Sequence, residues 1–199
     1  MTTIVVVDYD PNWPNIFDAL RERIWPVLSG CATSIEHVGS TAVPGLAAKP
    51  IIDMTVVVPA SDDVPVAISH LAELGYTHQG NLGVEGREAF RTPGAMPRHH
   101  LYLCASGSLA LRNHLAVREH LRGYPDVAKE YGDLKKRLAA QFPADIDAYV
   151  AGKTDLLVRI LADAGFHADE LAAIERINRR NSSGSTPGPA RPPAPDRPA

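Results

Sequence analysis

Cysteine is scarce in this chain: Cys31 and Cys104 are the two present in 199 residues. Neither belongs to a Cys/His spacing of the metal-binding kind, and their neighbours are apolar. A zinc-organised or disulfide-stapled scaffold is therefore excluded, and both are expected as free buried thiols in a reducing cytosol. An excess of basic charge is also missing. Twenty Lys and Arg against 23 Asp and Glu give a net charge of -3, which argues against a surface built to coat nucleic acid. No apolar run approaches the length of a membrane span, and no basic-then-apolar leader pattern opens the sequence. No internal repeat is visible. The expected setting is cytoplasmic, with no membrane partner.

What remains is 45% hydrophobic, enough for one sizeable core. From Asn181 the composition collapses to "NSSGSTPGPARPPAPDRPA", too rich in Pro, Ser and Gly to bury a core, so 181–199 is expected to be a disordered tail. Residues 1–180 then form a single domain. Its first part, to about residue 106, starts with a short strand at Ile4–Val7. Trp13, Ile16, Phe17, Leu20 and Ile24 follow at helical spacing, and Pro26 is expected to end or kink that helix near Trp25. Trp13 and Phe17 read as core. Strands are expected at Thr33–His37 and Ile51–Val58, then a helix at Val64–Leu74 capped by Asp62 or Asp63 and stopped by Gly75. "EGREAFRT" and "RHHLYLC" alternate as strands do. From about 107 to 180 the pattern turns helical, in three successive segments, two of them opened by a proline. The fold class is α+β: a small mixed sheet with flanking helices, followed by a helical C-terminal half.

The most informative stretch is "SIEHVGSTAVPGLAAKPIIDMTVVV", Ser34–Val58, where a strand carries one carboxylate, Asp53, among apolar residues. A phosphate-binding Gly-rich loop of the Gly-Lys-Ser/Thr type is excluded, because Lys49 follows Ala48. A nucleophile elbow is excluded too, because "VGSTA" lacks the second glycine. A third arrangement fits. Gly39 permits a sharp turn and close approach, while Ser40 offers a hydroxyl and neighbouring amides to phosphate oxygens. Asp53 then stands beside the phosphates as a hard oxygen ligand for Mg²⁺.

"YDPNWPNIF", "IEHVGSTAVPGLAAKPIID", "FRTP" with "RHHLYL", "HLRGYPDVAKEYGDLKKRLA" and "DAYVAGKTDLL" together resemble the GrpB family, in the nucleotidyltransferase superfamily. The resemblance runs from about Ile4 to Leu161. It implies a nucleotidyltransferase-like fold and an enzyme that binds a nucleoside triphosphate and Mg²⁺ and transfers a nucleotidyl group to a small-molecule acceptor of unknown identity. Gly39, Ser40 and Thr41 would meet phosphates, and Asp53 would serve catalysis. Thr55 stands where active superfamily members carry a second acid, making Asp53 and Thr55 the implied metal pair. The rival reading is an accessory module that kept the fold and binds nucleotide or another ligand without chemistry; a different group transfer or ligation in the same cleft is a third.

Other residues join this list. His100 and Tyr102 alternate onto one face of their strand, opposite His99, Leu101 and Leu103. His100 is a candidate metal or phosphate ligand or general base, against the plainer reading of a histidine bonded within the sheet. Arg91 carries a fork suited to phosphate, whereas Arg98 reads as surface charge. Glu88, three before Arg91, points to the opposite face from it. His37 either orients a phosphate or caps the loop. Lys49 is a point cation for a triphosphate or a solvated loop lysine. Tyr149 and Lys153, one helical turn apart, either reach over the cleft or form a surface pair. "KKRLAAQ" reads as a solvated helix face.

Overall fold

The computed structural model describes residues 3–180; the tail at 181–199 lies outside the described residues. Five strands are present: β1 (Ser34–Val38), β2 (Ile52–Val58), β3 (Thr77–His78), β4 (Glu88–Arg91) and β5 (His99–Ala105). Helices α1 (Trp13–Leu28) and α2 (Val64–Glu73) belong to the first half, and α3 (Leu109–Gly123), α4 (Pro125–Gln141), α5 (Ile146–Ala151), α6 (Thr154–Asp163) and α7 (Ala168–Arg180) to the second. The sheet order is β1-β2-β5-β4-β3, with β2 and β5 parallel and the other neighbours antiparallel. This is the mixed sheet with flanking helices and a helical C-terminal half that the α+β reading expects. Among the described residues no helix is long and apolar enough to cross a membrane.

Strand alternation divides the sheet chemically. Ile52, Met54, Val56 and Val58 of β2 join Leu101 and Leu103 of β5 in the main core, against Trp13, Leu20 and Ile24 of α1 and Ala67 and Leu71 of α2. The other face of β2 carries Asp53, Thr55 and Val57. Register sets Asp53 between Val38 and His100, and Thr55 between Glu36 and Tyr102. Val57 and Cys104 on this face are covered by Ala110 and Leu111 of α3. Removing one buried anchor of the main core, as in Leu101→Ala, is expected to cost about 2–5 kcal/mol in urea denaturation.

Four local expectations need correction. Helix α1 does not stop near Trp25 but runs through Pro26 to Leu28, because Leu28 is fully buried in the core and the proline forfeits one bond in the last turn. Ile4–Val7 forms no strand; Val7 makes an isolated bridge with Ala48, while Ile4 packs with Leu138 and Tyr149 of the helical half. Ile4 and Val6 turn toward the helical half while Val5 and Val7 stay exposed, so no ladder is needed to hold the segment. The third helical pattern splits into α5 and α6 at Gly152, where a Cβ would lie 2.5 Å from Leu138 Cδ2. Cys31 and Cys104 are both free, but only Cys104 is buried; Cys31 is half-buried beside His70.

After the turn that follows β1, the chain packs on the helical half. Val43 and Leu46 are buried with Leu121, Ala128, Tyr131, Leu156 and Ile160. The Gly39–Ala42 turn is thereby held between sheet and helices.

Candidate anion-binding cleft

The turn exists because of Gly39. Its φ of 68° and ψ of -169° lie in a region open almost only to glycine, and a Cβ there would sit 2.3 Å from Asp53 Oδ2. The backbone can lie against the Asp53 carboxylate only when that position has no side chain. Ser40–Ala42 then makes one 3₁₀ turn. It is braced from two sides. Behind it, His37 faces α1, stacks on Phe17 at 4.6 Å and has Nε2 3.0 Å from Thr41 Oγ1. Burial above all pushes the His37 pKa down to about 4, so this ring is neutral. From α3, Arg122 donates twice to Ala42 O, at 3.0 and 2.8 Å, and Arg118 donates to His37 O at 2.8 Å.

The cleft in front of the turn has a volume of about 270 Å³ and is lined by Gly39, Ser40, Thr41, Lys49, Asp53, His100, Tyr102, Tyr131, Lys135, Tyr149 and Lys153, among others. Three lysines converge on it. Lys135 is 2% exposed and its Nζ donates to Ser40 Oγ at 2.7 Å. Burial, reinforced by Lys153 and Lys49 and opposed by Asp53, pushes its pKa down to about 6. Lys153 is pushed down to about 8 by burial and then by Lys49. Lys49 is lowered as well, chiefly by burial. The aromatic rings supply partial compensation: Lys135 lies 4.5 Å from the Tyr131 centroid, and Lys153 and Lys49 lie 4.7 and 5.6 Å from that of Tyr149. Among the described residues, Asp53 is the one carboxylate lining this cleft. It is already engaged, since His100 Nδ1 donates to Asp53 Oδ1 at 2.9 Å.

The structure thus brings Gly39, Ser40, Thr41, Lys49, Asp53, His100, Tyr102, Tyr149 and Lys153 into one cleft, and leaves other candidates outside it. Thr55 shares the Asp53 face but is fully buried under α3, its Oγ1 3.0 Å from His114 Nδ1. Burial pushes the His114 pKa down to about 4, so this cover is neutral. Arg91 is exposed and donates to Thr77 Oγ1 at 3.4 Å. Glu88 turns to the opposite face, where His78 Nε2 donates to it at 2.6 Å. Arg98 is exposed beside Lys49, whose charge it disfavours. His37 braces the turn from behind.

Lys135 was masked in the sequence by the basic run "KKRLAAQ". The signal was nonetheless there. Ala128, Tyr131, Lys135, Leu138 and Ala139 form the buried stripe of α4, so Lys135 occupies a core position of the helical period. His114 gave no comparable signal.

The donor set can be tested against Mg²⁺. Among the described residues no group of three or more His, Cys, Asp or Glu could hold a metal ion, and the Thr55 hydroxyl is sealed under α3. A pair of ions does not fit. One Mg²⁺ shared between Asp53 and a ligand's phosphate oxygens does, because Mg²⁺ commonly takes only one or two carboxylates and completes its shell with phosphate and water.

The model of the GrpB protein family matches residues 3–163. UPF0157 protein YqkA of Bacillus subtilis is 36% identical over 92% of this chain and 51% of its own length, so the chain spans about half of that relative. The crystal structure of conserved protein GrpB from Enterococcus faecalis is 34% identical with a TM-score of 0.72, covering 80% of this chain and 96% of that one. A looser likeness, TM-score 0.43 at 12% identity over 65% of this chain and 45% of the other, is to the Cid1 poly(U) polymerase bound to MgATP.

Proposed function

The chain belongs to the GrpB family, and we propose that its cleft binds a nucleoside triphosphate with Mg²⁺ and transfers the nucleotidyl group to a small acceptor in the cytoplasm. The observation that carries this reading is the charge imbalance of the cleft, where Lys49, Lys135 and Lys153 face a single carboxylate. Desolvated lysines resist protonation until an anion joins them, and a triphosphate supplies several negative charges at once. Ser40 and the backbone of its turn meet the phosphates, with Lys135 already aligned on the Ser40 hydroxyl.

The two oxygens of Asp53 divide the work. Oδ2 faces Gly39 and the phosphate side, where it would hold Mg²⁺; bound there, the ion would polarise phosphoryl oxygens as a Lewis acid. Oδ1 holds His100 through Nδ1, which orients the ring and leaves Nε2 to take a proton from an acceptor hydroxyl. Lys153 and Lys49 offset charge developing on the leaving pyrophosphate.

One observation favours a second reading, a nucleotide-binding module without turnover. The position that would carry a second acid is Thr55, and its hydroxyl is spent on His114. Both readings are tested on Asp53→Asn. With a non-hydrolysable ATP analogue, wild type is expected to show a rise in melting temperature that is larger with Mg²⁺, and the variant to lose the Mg²⁺-dependent part, as linkage requires. Without ligand the variant should melt somewhat lower, because three lysines lose their one anionic neighbour. Equal Mg²⁺ responses in both proteins would remove Asp53 as the metal residue. Pyrophosphate release from ATP in an acceptor screen supports the transferase; binding without release supports the module.

A further inference from the structure

On the far side of Tyr102 lies a second cavity, of about 460 Å³, between the segment before β4, the start of α3 and helix α7. Its walls are mostly aliphatic, with Leu109 from α3 and Ile174 and Ile177 from α7; Asn113, His114 and Arg87 supply polar atoms. The volume is that of a small-molecule site. The α7 wall lies beyond the residues that match the family model, 3–163, so this cavity depends on a segment outside the shared part.

Arg87 is the anomaly. Its guanidinium lies 4.5 Å from the Tyr102 ring centroid, and its Nε is buried with no hydrogen-bond partner among the described residues. Other arginines nearby are matched: Arg112 pairs with Glu170 and Arg118 with Glu36. The carboxylate in the cavity lining, Glu85, is exposed and makes no ion pair with Arg87 among the described residues. A partly desolvated guanidinium beside a mostly aliphatic cavity, with no ion pair among the described residues, lacks the partner its fork is shaped to hold. His114 beside it is neutral, so it adds no second positive charge to compete for an anion.

We propose that this cavity binds a small organic carboxylate with an apolar body, its carboxylate held by Arg87 and its body seated between Leu109 and the isoleucines of α7. The occupant's charge follows from Arg87, and its apolar body from the walls. The proposal does not depend on the triphosphate reading, because the two pockets are separated by the Tyr102, His114 and Arg87 side chains.

The test is isothermal titration of the full chain with hexanoate, phenylacetate and benzoate, each beside its primary amide. At least one acid is expected to bind at least tenfold more tightly than its amide, and Arg87→Gln to erase that difference while leaving the ATP-analogue shift intact. In the absence of ligand the variant should melt within about 2 °C of wild type. Acid and amide binding alike, binding by none of the three acids at millimolar concentration, or a preference that survives Arg87→Gln would each overturn the proposal. A fall of many degrees in the ligand-free variant would assign Arg87 to packing on Tyr102 and overturn it as well. Should the variant not fold, the acid-against-amide contrast in wild type still decides.

Discussion

Gly39→Ala should abolish nucleotide binding and lower the melting temperature, as read by thermal denaturation with and without an ATP analogue. Two costs add. A side chain at φ 68° and ψ -169° is strained by about 1–3 kcal/mol wherever it occurs. Here the new methyl would also stand 2.3 Å from Asp53 Oδ2 and 2.9 Å from Asp53 Cβ and Cγ, so either the turn or the carboxylate must move. Movement of the turn takes Ser40 away from Lys135; movement of Asp53 breaks its bond with His100. Either way the ligand-dependent shift disappears. The neighbouring Gly45→Ala, also at positive φ but with open space at its Cβ, should show only the backbone penalty and keep binding. Equal behaviour of the two variants would mean that the approach to Asp53 is not what Gly39 serves.

Lys135→Met is expected to do the opposite to stability and the same to binding. Folding buries this amine and, above about pH 6, makes it give up its proton, so an apolar side chain of similar length should stabilise the fold by about 1–4 kcal/mol. In a chain of this size that is about 2–4 °C in melting temperature for each kilocalorie per mole. The gain should depend on pH in a defined sense. The folded pKa of Lys135 is about 6 against 10.5 for the free side chain, so between those values the unfolded chain binds the extra proton. Wild-type stability therefore rises with pH across that window and is insensitive to this group below it. The variant should lose that slope, most visibly between about pH 6 and 8, before Lys153 begins to lose its own proton. Urea titrations at three pH values measure it. Affinity for the triphosphate analogue should fall at least tenfold, because the ligand loses a desolvated cation. In wild type, binding near pH 7 should take up protons, as phosphates draw Lys135 back to its charged form; calorimetry in buffers of different ionisation enthalpy reads this directly. A destabilised variant that binds normally would reduce Lys135 to a structural donor for Ser40.

The legible part of this molecule lay where chemistry and local pattern coincide. The strand carrying Asp53 could be recognised because β2 is apolar on both sides of that residue, and the turn because only glycine serves at position 39. Period-two alternation also put His100 and Tyr102 on one face of β5, since side-chain direction in a strand is a local property. The stop expected at Pro26 failed for a non-local reason: burial of Leu28 outweighs the bond that the proline removes.

Taken alone, the sequence determined the α+β class and the Gly39-Ser40 turn beside Asp53. Those features rest on backbone sterics, periodicity and residue type, all of which act over a few positions. Only the tertiary structure decided that Lys135, 95 residues from Ser40, completes the turn; that His114 closes over Thr55; and that Arg91 turns away to Thr77. The reason is physical. The charge state of a lysine, and whether a hydroxyl is free or spent, depend on what the rest of the chain packs against it, and burial acts equally on neighbours near and far in sequence.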